Sequence, residues 1–126
     1  MTPDELMRRM SKKNLLLQEK NEELLNLSEK RAQAERAYNI EVAKTTLRLK
    51  ADHPATLIPI LVKGDDTVAE LKYKMDVADG VYRACQESLR DVRTAIDSYR
   101  SMLSFEKEEL MKAGISQNHG GDVAGI

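Results

Sequence analysis

The chain has 126 residues, a third of them charged, with one Phe, no Trp, six Gly, three Pro and a formal net charge of -1. That profile describes long helices in one domain at most, and the near balance of charge excludes a generally basic nucleic-acid binder and an acidic DNA mimic. One cysteine, Cys85, excludes an internal disulfide framework and a thiolate-rich metal site, and no apolar run approaches the roughly 20 residues that span a bilayer.

The first helix is predicted over 3–51. Thr2 is its cap, Pro3 occupies the first helical position, and Glu5 stands three residues after the cap. Charges within the first five residues leave no signal-peptide core. The seam of this helix is read as Met10, Asn14, Leu17, Asn21, Leu24, Ser28, Arg31, Glu35, Tyr38, Val42, Thr45 and Leu49. Leu15, Leu16, Leu25 and Leu27 lie off that seam and are assigned to self-association, because a two-helix hairpin would leave them wet.

A connector with a short helix occupies 52–65. Pro54 pushes His53 out of the helical region, and Gly64 is expected to close an apolar turn. Leu57, Ile58, Ile60, Leu61 and Val62 make this tip too apolar for a solvated loop. They read either as a plug on the hairpin end or as a partner-contact surface.

The second helix is predicted over 66–112, capped by Asp66-Thr67. Alternating steps of three and four give Val68, Leu71, Met75, Ala78, Tyr82, Cys85, Leu89, Val92, Ile96, Tyr99, Leu103, Glu106 and Leu110, of which only Glu106 is neither apolar nor aromatic. A mean spacing of 3.5 residues keeps one stripe on a partner helix. Gly80 falls away from that seam and should cost about 1 kcal/mol relative to Ala. Residues 114–126, with four Gly and no periodicity, read as a disordered tail.

The fold class is therefore all-α: a long antiparallel coiled-coil hairpin over 1–113, pairing into a four-helix bundle. An antiparallel register that sets Tyr38 opposite Tyr82 and Leu24 opposite Ile96 also places Asn14 against Glu106. The same register lays the basic start (Arg8, Arg9, Lys12, Lys13) beside Glu106, Glu108 and Glu109. Those four bases are alternatively a weak, salt-sensitive phosphate contact, since residues 1–51 hold eleven Lys and Arg against eight Asp and Glu.

Chemistry-bearing patterns are scarce. His53 and His119 are isolated, and there is no HExxH, phosphate loop or nucleophile elbow. Cys85 on the seam reads as a small buried hydrophobe. No catalytic, cofactor-binding or metal residue is expected, and the protein is read as a non-enzyme.

Tyr38, Ala43-Lys44, Leu47, Pro54-Ala55-Thr56, Ile58-Pro59, Gly64-Asp65, Val68-Ala69-Glu70-Leu71-Lys72, Asp76-Val77-Ala78 and Tyr82 occur together. This combination, within 35–105, resembles small coiled-coil proteins of tailed phages and prophages of Gram-positive bacteria, found among early replication and recombination genes. The resemblance implies a cytoplasmic phage early protein in a bacterial host. It would be a homo-oligomer, dimer or higher, that binds a host or phage protein in host takeover, counter-defence, or modulation of a nuclease or replication factor. The alternatives are a nucleic-acid-associated accessory protein of recombination or replication, and a virion assembly or scaffolding factor. No membrane partner and no cofactor are expected.

Overall fold

The computed structural model describes residues 1–125, with side chains through Gly114. Three helices follow one another: α1 (Pro3–Lys50), α2 (Ile58–Gly64) and α3 (Asp66–Gly125). No strand occurs among the described residues, and the long helices α1 and α3 pack against each other. The chain divides into two compact units, one of Met1–Glu19 with Leu89–Ile126 and one of Lys20–Ser88.

α1 starts as its first residues dictate. The Thr2 hydroxyl oxygen accepts the Glu5 N–H at 3.2 Å, and the Leu6 N–H reaches the Thr2 carbonyl at 3.0 Å, so Pro3 sits where no amide hydrogen is needed. At its far end, the Asp52 and His53 N–H groups both donate to the Leu49 carbonyl. The chain then turns over Pro54 into α2.

In the Lys20–Ser88 unit, α2 lies on the end of the helix pair. Ile58, Val62 and Val68 form a buried cluster against Tyr38, Val42 and Leu49. Gly64 does not adopt a left-handed conformation, and no described residue has a positive φ. Asp65 breaks the chain between helices instead, with φ −67° and ψ 128°. Its carboxylate also caps α3: Oδ2 accepts the Val68 N–H at 3.1 Å, while Oδ1 accepts from Arg48 Nη2 at 3.0 Å. The cap is therefore one residue earlier than Asp66-Thr67, because a single extended residue ends one helix and starts the next. Asp65→Ala is expected to lower stability by about 1 kcal/mol or somewhat more. Urea unfolding followed by circular dichroism would read this, and no change would deny Asp65 the capping role.

The seam of α3 is as its periodicity predicts. In the Lys20–Ser88 unit Val68 and Cys85 are buried and Leu71, Met75, Ala78 and Tyr82 half-buried. In the other unit Leu89, Val92 and Ile96 are buried and Tyr99, Leu103 and Glu106 half-buried; only Leu110 is exposed. α3 continues beyond the expected end at 112. The disordered tail expected over 114–126 falls almost wholly outside the residues described with side chains.

The seam of α1 needs correction. Met10, Leu17, Leu24, Arg31, Tyr38 and Thr45 do face inward, but Asn14, Asn21, Ser28 and Glu35 are exposed. Their places are taken by Lys13, Lys20, Leu27 and Ala34, one residue earlier in each heptad, and Glu41 is half-buried beside Val42, which keeps its place. Long aliphatic stems let Lys and Glu cover apolar surface while the charge stays in water, which the short Asn side chain cannot do.

The register also differs. Tyr82 lies against Arg31, whose guanidinium is 4.7 Å from the ring centroid, and Tyr38 lies under Lys72. Slipping a heptad pattern by one repeat preserves every seam contact, so apolarity does not choose between the two. The choice is made at the connector, where α3 begins directly after α2 and Asp65 meets Arg48.

Candidate interaction surfaces

The residues assigned to self-association separate by burial. Leu15 is 63% exposed, while Leu16 next to it is half-buried. In the Lys20–Ser88 unit Leu25 is 73% exposed and Leu27 half-buried. Leu15 and Leu25 thus remain outward, Leu16 is partly withdrawn, and Leu27 is half-buried with part of its surface left open.

The connector tip separates in the same way. Ile58 and Val62 turn inward onto Val68 and are withdrawn from partner contact, because the seven-residue α2 has one face to bury and these two lie on it, four residues apart. Leu57 and Ile60 point outward, Ile60 at 68% exposure, and Leu61 is half-buried. Plug and surface are therefore two sides of one short helix.

At the start of α1, Arg8, Arg9 and Lys12 are exposed and Lys13 half-buried. No ion pair joins these four to Glu106, Glu108 or Glu109 among the described residues. The complementary charges that the expected register brought together are not in contact.

Two features of the Lys20–Ser88 unit were not singled out in the sequence. One is a polar layer in the seam. Asp79 forms ion pairs with Arg31 Nε at 2.8 Å from α1 and with Arg83 Nε at 2.9 Å from its own helix, and Gln86 donates to the Tyr82 hydroxyl at 3.3 Å. Arg31 sits at a half-buried seam position of α1, its side chain still 40% exposed, and lies between this carboxylate and the Tyr82 face.

The other is an open groove of about 350 Å³ between α1 and α3, lined by Leu27, Tyr73, Val77, Ala78 and Val81 with Lys30 and Lys74. Tyr73, Val77 and Val81 are all exposed, and their four-residue spacing puts them on one face of α3. That spacing was legible in the sequence. Gly80 stands beside Val77 and Val81 with nothing within 4 Å of where a Cβ would lie, so no close approach within the chain requires it.

Cys85 is buried, and its thiol donates to the Lys20 carbonyl at 3.7 Å. His53 Nδ1 lies 3.2 Å from the Leu49 carbonyl at the end of α1. His119 lies outside the residues described with side chains. Among the described residues there is no cluster of three His, Cys, Asp or Glu able to hold a metal, and no helix long and apolar enough to cross a membrane. No family model, curated protein or solved structure matches the chain.

Proposed function

We propose that this chain is a non-enzymatic helical interaction protein, two copies of which pair into a four-helix bundle that docks on another protein. The carrying observation is the exposed apolar groove of Leu27, Tyr73, Val77 and Val81, wet in a lone chain although its walls are regular helices. Contiguous apolar surface on a rigid helical scaffold is what protein docking uses. The outward side of α2, Leu57 and Ile60, offers a second contact at the tip. The resemblance to phage and prophage early proteins supports a host or phage protein as partner, met in the bacterial cytoplasm.

A second reading, a nucleic-acid-associated accessory protein, draws support from Arg8, Arg9 and Lys12, exposed and without an ion pair among the described residues. The two readings separate in one experiment: capture with the tagged full chain from a Gram-positive host lysate, with and without nuclease. The interaction reading expects a defined protein retained after nuclease treatment. Loss of all retained material on nuclease treatment, with DNA affinity falling steeply as salt rises, would favour the basic face instead.

A further inference from the structure

The groove also carries the chemistry of its occupant. Both charged residues that line it are cations, and no carboxylate does. Neither Lys30 nor Lys74 has an ion-pair partner among the described residues. The groove therefore suits an apolar helix face that brings its own acidic residues.

The chain displays such a face. Phe105, its only phenylalanine, is 62% exposed, and Met102 beside it is exposed too. Glu108 and Glu109 follow three and four residues after Phe105, on the same side of the helix. Glu108 has no ion-pair partner among the described residues, and Glu109 reaches Lys112 only at 4.0 Å. An exposed aromatic ring is the side chain with the most apolar area to gain from burial.

We propose that Met102 and Phe105 of one copy of this chain dock in the Leu27–Tyr73–Val77–Val81 groove of a second copy, with Glu108 and Glu109 answering Lys30 and Lys74. Groove and stripe lie on the same continuous helix, α3, so the contact joins two copies. Each surface is wet in the lone chain, and the two carboxylates beside Phe105 are opposite in sign to the lysines that line the groove. This inference rests on the self-association half of the proposed function and assigns that role to residues other than Leu15 and Leu25.

The test is sedimentation equilibrium of the full 14.2 kDa chain over a range of concentrations, with helicity followed by circular dichroism. The wild-type chain should associate. The Lys30→Glu/Lys74→Glu and Glu108→Lys/Glu109→Lys variants should each associate about tenfold more weakly, because pairs become like-charge contacts. All four substitutions in one chain should restore association, and Val77→Asp/Val81→Asp should abolish it with helicity kept.

A wild-type chain that stays monomeric at every concentration would overturn both this contact and self-association, while leaving protein capture from lysate intact as a separate result. Association that survives Val77→Asp/Val81→Asp would overturn this contact alone and return the pairing to Leu15 and Leu25. Failure of the four-substitution variant to recover would overturn the charge pairing. A monomeric chain whose captured lysate protein is lost on Val81→Asp would assign the groove to that protein, against a second copy.

Discussion

Leu89→Ala is expected to lower the unfolding free energy by about 2–5 kcal/mol, the range of large-to-small changes in a packed core. Leu89 is 2% exposed, and among the described residues its unit has few as well buried, namely Leu6, Val92 and Ile96. A pair of helices has no second layer behind its seam, so each seam side chain carries a larger share of the total than in a globular domain. The cost depends on how far neighbours relax into the space. Val92, the next seam residue along α3, is itself buried and has little room to shift, which argues for the upper half of the range. Leu15→Ala removes the same atoms from an exposed position and should change stability by no more than about 0.5 kcal/mol. Urea unfolding of both variants checks the contrast. Equal effects would mean that the seam is not the core of this unit.

The contrast also shows what in this chain was readable. The seam of α3 came through from sequence because its positions are apolar at a strict 3.5-residue repeat, and side-chain type and burial then agree. The seam of α1 came through at alternate positions as far as Tyr38, after which Val42, Thr45 and Leu49 all lie inward. Lys13 and Lys20 stand inward where Asn14 and Asn21 were expected, because a lysine buries its stem and an asparagine has none to bury. The register was open for a different reason: a repeating pattern tolerates a one-heptad slip, and what breaks the tie is Asp65, which ends α2, caps α3 and meets Arg48. The groove was missed although Tyr73, Val77 and Val81 stand four residues apart, because the stronger stripe on the same helix had already been taken as the buried face. An outward apolar stripe is visible as soon as the inward one is subtracted.

The same subtraction decides what the connector tip does. Ile58→Asp and Ile60→Asp place the same side chain two positions apart on α2, one on each face. Ile58 is 6% exposed and packs with Val62 and Val68 over Tyr38, Val42 and Leu49. Its replacement loses the apolar contact and sets a carboxylate among aliphatic side chains, so the expected cost is about 3–5 kcal/mol, enough to release α2 from the helix end. Ile60, at 68% exposure, loses little on the same change, about 0.5 kcal/mol or less. Amide hydrogen exchange reads the difference locally: the α2 amides of Ile58→Asp should exchange much faster than in the parent chain, and those of Ile60→Asp at the parent rate. If Ile58→Asp keeps α2 protected, the plug contributes nothing and the connector is held by the Asp65 cap and the Arg48 pair alone. With the plug established, Ile60→Asp becomes the clean probe of the tip. It leaves the fold in place and changes the outward face, so any captured protein lost with it was held by Leu57 and Ile60 rather than by the groove.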